Sequence, residues 1–448
     1  MVRFVFDNLI YKCGENRYIL LNLFNFRREI INGATLTQLL QISQKQSNGT
    51  SLLDSELSLL QIYYEKRQFL PGDTIHELDK SNQLQSQISL KKYPIKSITL
   101  NVSYHCNFKC SYCYQRNYKY HSAFSKTMEH KNVDEIYHYL MLECFDTSNF
   151  NEIVISGGEP LLLNNISVIN YIINRFPKQK KILFTNGINI MQFKEKIPFA
   201  EIDEYQISLD GPDSVIADVN KSTKAYEDII QGILYLISLG KTITIATLLT
   251  KDLGPFLLQF VSDLKSHNII DSPNVSLKFN LEKNYYSAGK FDDSVFDWEY
   301  IRNIRKKLNP QLMGYGTTIP LHSEVMDLSL LLHRPKNQRY KLQYQKCDLS
   351  TNLPAVFGPD GKVYWCLCLG SENGVIGNYQ LNEVFHEKIH KLGNRTVTKI
   401  EACKSCSLRY VCRGGCVLPL TSGPHDYYRP NCGMFSSDYF WEHLEDLI

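Results

Sequence analysis

The sequence predicts an α/β fold, an open or incomplete barrel of six strand–helix units between a small N-terminal segment and a cysteine-rich C-terminal one. Three observations predict it. From Ser97 to about Leu281, short apolar strands alternate with helix-period segments, the rhythm of βα units that share one parallel sheet. Before that rhythm, the chain carries short β-like runs and then one amphipathic stretch. After it, 8 of the 13 cysteines fall between Cys347 and Cys432.

The elements follow in order. Region 1–75 has β-like runs at Arg3–Phe6 and Tyr18–Phe24, then a helix-period stretch from Leu52 to Tyr64 with Leu53, Leu57, Leu60 and Tyr64 on one face. Residues 76–96 are the end of a polar stretch, rich in Ser and Gln, and read as a linker. Region 97–282 places strands at Ile98–Val102, Ile153–Ile155, Ile182–Phe184, Tyr205–Leu209, Thr242–Leu249 and Val275–Leu281. Helix-period segments lie between them at Val133–Cys144, Ile166–Phe176, Tyr226–Leu239 and Phe256–His267. In such an array the chemistry sits where strands run into loops at their C-terminal ends. Region 283–346 is aromatic and polar and bridges to the cysteine-rich end at 347–448.

Composition narrows the function classes. At 448 residues, with 43% apolar and 21% charged residues, the chain is globular and longer than the roughly 100–200 residues of one ordinary domain. A net charge of +3 gives no electrostatic case for a nucleic-acid or membrane partner. No apolar run approaches the roughly 20 residues of a membrane span, and Met1–Arg17 holds Asp7, Lys12, Glu15 and Arg17 rather than the apolar core of a secretory signal. The expected location is the cytoplasm, where thiols stay reduced and clustered cysteines point to metal or catalysis rather than disulfides.

The first cluster, Cys106, Cys110 and Cys113, follows the first strand of the rhythm. Three thiolates on one loop can each hold one iron of a 4Fe–4S cube, leaving the fourth iron open for a substrate or cofactor. A zinc loop is the other reading, although zinc takes a fourth protein ligand at short spacing and none is evident nearby. The Cys-x3-Cys-x2-Cys loop, with Tyr112 before its last cysteine, resembles the radical S-adenosylmethionine (SAM) enzymes. Three further matches follow later strands in the order that family has them: Ser156-Gly157-Gly158-Glu159-Pro160, Thr185-Asn186-Gly187 and Ser208-Leu209-Asp210-Gly211. The resemblance implies a partial (β/α)6 TIM-like barrel in which Gly157, Gly158, Glu159 and Pro160 receive the methionine amino group. It also implies polar contacts from Ser208 and Asp210 to the methionine carboxylate and ribose, with Asn186 among the SAM-binding residues. In this reading the glycines let the backbone approach the bound amino acid, and Glu159 offers its carboxylate to the ammonium. Relatives often carry a His-Asp-x-x-Arg stretch next; this chain has Ala217-Asp218-Val219-Asn220-Lys221, so Lys221 stands as a point charge where an Arg fork is usual.

The second set reads Cys347, Gly361-x4-Cys366, Cys403-x2-Cys406-x5-Cys412-x3-Cys416 and Cys432. It resembles the SPASM extension of peptide-modifying radical enzymes, a C-terminal Cys-rich iron–sulfur domain. The resemblance implies one auxiliary cluster on Cys347, Cys366 and Cys416 and another on Cys403, Cys406, Cys412 and Cys432. Cys368 completes the first auxiliary cluster, or its fourth iron stays open and Cys368 is a small buried residue. Cys13 and Cys144 read as buried residues, Cys144 inside a helical stretch. The implied cofactors are therefore SAM and three [4Fe–4S] clusters.

The same resemblance implies a maturase of a ribosomally made precursor peptide, forming a side-chain cross-link, with a winged-helix-like α+β domain at 1–75 capturing the leader by strand addition. Its electron donor would be a flavodoxin or ferredoxin. Two alternatives are kept. A sulfatase-maturase-like formylglycine-generating enzyme would carry an Asp as base immediately after the Gly-x4-Cys cysteine, where this chain has Leu367. A non-catalytic zinc-binding adaptor would use the cysteines structurally.

Overall fold

The computed structural model describes residues 8–22, 28–63, 92–110, 113, 126–213, 225–249, 254–281, 349, 352–367, 374–393, 395–397, 399–404 and 414. Its N-terminal part is an antiparallel meander, β1 (Asn8–Gly14), β2 (Arg17–Asn22) and β3 (Arg28–Asn32), followed by α1 (Gly33–Ser47) and α2 (Asp54–Gln61). Asn16 turns the first hairpin at a φ of 84°, a conformation that Asn tolerates, and its Oδ1 accepts the Gly33 N–H at 2.9 Å. One side chain thus makes a turn and satisfies a first-turn amide of α1. Leu20, Ile31, Leu36, Leu39, Ile42, Leu60 and Tyr63 form the core of this part.

Two sequence expectations change here. The apolar face of the second helix is set by Leu60 and Tyr63, whereas Leu53 and Leu57 are 63% and 50% exposed. The i, i+4, i+7 template picks the wrong phase because Leu53 is the N-cap, outside the helix proper. The sequence reading also missed α1, whose many polar residues mask the Leu36, Leu39 and Ile42 stripe that it buries. Arg3–Phe6, Phe24, Tyr64 and most of the linker lie outside the described residues. Within the linker, β4 (Tyr93–Pro94) pairs in parallel with β6 (Phe145–Asp146), and Tyr93 and Ile95 are core.

The parallel array is the one the rhythm predicts. β5 (Ser97–Asn101), β7 (Glu152–Ser156), β8 (Lys180–Thr185), β9 (Glu204–Ser208), β10 (Thr242–Leu249) and β11 (Val275–Leu281) lie side by side in chain order. The connections contain α3 (His130–Tyr139), α4 (Ile166–Arg175), α5 (Ala225–Ser238) and α6 (Leu257–Ser266). Two short 3-10 turns serve instead of a helix between β8 and β9. Alternate strand residues Ile98, Leu100, Ile153, Ile155, Leu183, Ile207, Ile243 and Ile245 share one core with Val133, Ile136, Ile169, Ile172, Ile229 and Phe260. Cys144 is half-buried against that core but follows α3 rather than lying in a helix.

Among the described residues, the strands of the cysteine-rich region do not form a sheet of their own. β12 (Val356–Phe357) adds in parallel to β5, and β13 (Lys362–Tyr364), β14 (Val375–Asn378) and β15 (Glu383–Val384) continue antiparallel, giving one ten-stranded mixed sheet. The physical reason is the edge of β5, whose amides need partners once the array does not close; the Thr99 N–H, for example, donates to the Ala355 carbonyl at 2.9 Å. Two short helices, α7 (His386–Gly393) and α8 (Glu401–Lys404), follow. The Tyr93 hydroxyl lies 3.0 Å from His386 Nδ1 and 3.3 Å from His390 Nε2, which clasps α7 to β4.

Phe357, with no exposed surface, packs edge-on to Tyr139 and against Tyr379. Phe357→Ala is expected to destabilise the protein by about 3–5 kcal/mol. Because β12 is shared, the loss should appear as one earlier unfolding transition in urea, read by the fluorescence of buried Trp365. Two separated transitions would mean the C-terminal strands fold apart from the parallel array. Among the described residues, no helix is long and apolar enough to cross a membrane.

Candidate functional site

β5 ends at Asn101, and the chain runs through Ser103, Tyr104 and His105 into the cysteine loop. Cys106 is exposed and Cys110 and Cys113 are half-buried, all three as thiols rather than disulfides. The Cys113 N–H donates back to the Cys110 carbonyl at 3.4 Å, so the loop doubles over. Cys106 Sγ accepts the Phe108 N–H at 3.3 Å, the kind of hydrogen bond that tunes a cluster sulfur. Among the described residues, no three Cys, His, Asp or Glu side chains converge on a point that would hold a single metal ion. A cube makes a different demand, since each of its irons takes its own thiolate.

The Gly-Gly-Glu segment leaves β7 directly and is laced to the start of this loop. The Val102 N–H donates to the Ser156 carbonyl at 2.9 Å, the Gly158 N–H to the Ser103 carbonyl at 2.7 Å, and the Glu159 N–H to the His105 carbonyl at 2.7 Å. Gly157 has a φ of 150°, and a Cβ there would meet the Ser103 backbone, its nitrogen at 3.2 Å. A Cβ on Gly158 would fall into the His105 carbonyl and lie 2.7 Å from that of Tyr104. Here the glycines are required first by the chain itself: they let one loop approach another.

Glu159 is 1% exposed. Its Oε1 accepts the Leu161 N–H at 2.8 Å and the Thr185 hydroxyl at 2.6 Å, and its Oε2 accepts the Asn186 N–H at 2.7 Å. Burial pushes this carboxyl up to about 7, and the three donors pull against that rise. Asn186, at the end of β8, closes its own turn by accepting the Ile188 N–H and reaches across to donate to Asn107 Oδ1 at 2.8 Å. Pro160 is buried behind Glu159.

At the end of β9, Ser208 is exposed, and just beyond it Asp210 is 8% exposed, its Oδ1 accepting the Leu248 N–H at 2.8 Å. The structure therefore places Cys106, Cys110, Cys113, Gly157, Gly158, Glu159, Asn186, Ser208 and Asp210 at or after the C-terminal ends of four neighbouring parallel strands of the mixed sheet. Tyr112 and Lys221 lie outside the described residues, as do Cys347, Cys368, Cys406, Cys412, Cys416 and Cys432.

Of the second set, Cys366 is half-buried just after β13, and Cys403 is buried on α8. Gly361 takes a φ of 86° in the turn between β12 and β13, which glycine accepts without strain. That turn meets the first cysteine loop: Tyr364 and Tyr104 both donate to the carboxylate of Asp360, the latter at 3.4 Å. Leu367 packs against an apolar cluster of Tyr104, Val356, Tyr364 and Val375.

Three residues at this site escaped the sequence reading. Asn107 and Asp360 carried a signal only in their adjacency to a cysteine and to Gly361. Asn101 carried none. It is fully buried at the last position of β5, and neither polar atom of its carboxamide has a hydrogen bond among the described residues.

Residues 100–253 match the family model for the radical SAM superfamily. They form a radical SAM domain. The curated relatives agree within this span. A GTP 3′,8-cyclase of Staphylococcus saprophyticus is 27% identical over 161 residues, 35% of this chain and 47% of the relative. A probable GTP 3′,8-cyclase of Methanococcus aeolicus is 33% identical over 122 residues, 27% of this chain and 38% of the relative. The chain thus spans less than half the length of either relative. Solved structures match over far more of it. His-tagged anSMEcpe with bound AdoMet has a TM-score of 0.56 at 20% identity, covering 79% of this chain and 98% of that one. Streptococcus suis SuiB bound to precursor peptide SuiA has a TM-score of 0.52 at 14% identity, covering 96% of this chain and 99% of that one. At these identities the likeness is one of fold.

A radical SAM domain implies SAM and one [4Fe–4S] cluster. The residues fit both: three thiols share one loop, an amide donates to the first sulfur, and the buried carboxamide of Asn101, at the end of the strand that leads into that loop, has no hydrogen-bond partner among the described residues.

Proposed function

We propose that this radical SAM enzyme modifies a ribosomally made precursor peptide and installs a side-chain cross-link. Fold carries the reading: the likeness to SuiB, which was solved with its precursor peptide, extends over 96% of this chain and so takes in the regions before and after the radical SAM domain. Cys106, Cys110 and Cys113 would hold the cluster. Bound there, cluster and SAM supply a 5′-deoxyadenosyl radical that abstracts a substrate hydrogen. The chain's own part is placement. Asn186 and the Gly-Gly-Glu segment hold the cysteine loop from two sides, while Ser208 and Asp210, with Lys221 and Tyr112, would hold the sulfonium cofactor's polar end. The C-terminal cysteines would hold two auxiliary clusters, with Cys366 on the same sheet as the radical loop. One of the two electrons that a cross-link releases would leave with the abstracted hydrogen atom, such a cluster could accept the other, and a flavodoxin or ferredoxin would supply the reducing electron. The N-terminal α+β part would take the leader as an added strand.

The sulfatase-maturase reading has its own support in the fold of anSMEcpe, which was solved with peptides as well as with AdoMet. Against it, the position that would carry a basic carboxylate is Leu367, committed to an apolar cluster. The decisive measurement incubates the reduced, cluster-loaded enzyme and SAM with a precursor peptide encoded next to its gene. Loss of two hydrogens with a new inter-residue fragment by tandem mass spectrometry is the expected result. Conversion of a Cys or Ser to an aldehyde would move the assignment to the formylglycine class. Zinc without iron in the purified protein would sink both.

A further inference from the structure

The Glu159 carboxylate is held almost entirely by the protein. A carboxylate has about four lone-pair directions, and three of those on Glu159 are used, at 2.6–2.8 Å, by Leu161 in the loop after β7 and by Thr185 and Asn186 at the end of β8. The side chain is also sealed from solvent, at 1% exposure. One of its donors is the backbone amide of Asn186, whose side chain then donates to Asn107, the residue after Cys106. The Cys106 thiol and Asn107 Oδ1 are themselves 3.9 Å apart. A continuous relay of hydrogen bonds therefore runs from Glu159 through Asn186 to Asn107, which the backbone joins directly to the first cluster cysteine.

We infer that Glu159 is a positioning residue: its carboxylate fixes Asn186, and through Asn107 the cysteine loop, rather than pairing with the ammonium of bound SAM. Glu159→Gln replaces one acceptor oxygen with an amide that must face a donor, so at least one of the three bonds is lost whichever way the amide turns. The relay then loosens at its root. Asn107→Ala cuts it at the far end, on an exposed residue outside the core. Asn107→Asp keeps an acceptor for the Asn186 amide and restores it.

The inference rests on SAM and the three-cysteine cluster being bound, and not on the peptide substrate. The test uses full-length, cluster-reconstituted protein and two ligands, SAM and its analogue with hydrogen in place of the α-amino group. If wild type binds neither, the radical SAM reading fails first. With wild-type binding in hand, positioning predicts that Glu159→Gln weakens both ligands by the same factor, about tenfold as for other residues that orient a ligand sphere. Weakened SAM with unchanged analogue binding would mean direct ammonium contact and overturn the inference. The second readout is the change that SAM causes in the electron paramagnetic resonance spectrum of the reduced protein, a signal specific to the cluster with the open iron. Asn107→Ala should alter that signal and Asn107→Asp should recover it, even if Glu159→Gln fails to fold. An unaltered signal in Asn107→Ala overturns the relay.

Discussion

Cys110→Ala is expected to abolish formation of 5′-deoxyadenosine when the reduced, reconstituted protein is given SAM under anaerobic conditions. The expected loss is complete to the detection limit, because a cube held by three thiolates on one loop has no spare protein ligand. The Cys110 carbonyl accepts the Cys113 amide, so on the proposed assignment its removal would strip one of three neighbouring ligands. The control is Cys403→Ala. Cys403 belongs to the second set and is buried on α8, and its loss should leave that cleavage measurable while lowering iron content. Cleavage retained without Cys110 would refute the cluster assignment, and cleavage lost equally in both would mean the two cysteine sets act as one.

Gly158→Ala has the second largest expected effect. The new methyl group would meet the carbonyl groups of His105 and Tyr104, which are backbone and cannot rotate aside. Either the Gly-Gly-Glu segment or the start of the cysteine loop must move, breaking the Gly158 and Glu159 amide bonds that lace them. Overpacking of this kind costs about 1–3 kcal/mol, and each lost hydrogen bond adds about 0.5–1.5 kcal/mol. The measurable outcome is a lower urea midpoint together with faster loss of cluster iron to a chelator. A variant that binds SAM poorly yet keeps wild-type stability and iron would show that the glycine serves the ligand and not the loop.

Much of the site was legible because its spacing is local. Cys106, Cys110 and Cys113 sit on one loop, and strands bounded by turn residues announce where the later motifs fall. β10 and β11 match the predicted strands residue for residue, β10 as a run rich in Thr and Ile and β11 through the alternation of Val275, Leu277, Phe279 and Leu281 with polar residues. The N-terminal part was less legible. Its first helix hides three core residues among polar ones, and the phase of the second is decided by packing of Leu60 and Tyr63 rather than by its leucine spacing. What Glu159 touches was not legible, because two of its three partners, Thr185 and Asn186, lie at the end of the next strand.

The 13 cysteines, their two groupings and the βα rhythm are properties of sequence order, and sequence alone determined them, because metal-ligand spacing and apolar periodicity are short-range. Tertiary structure decided the rest. It joined the C-terminal strands to β5, set Asp360 against Tyr104, turned the glycines toward their own chain and spent the Glu159 carboxylate on its neighbours. Each of those depends on which distant backbone amides and carbonyls come within about 3 Å of one another, and no local pattern of residues records that.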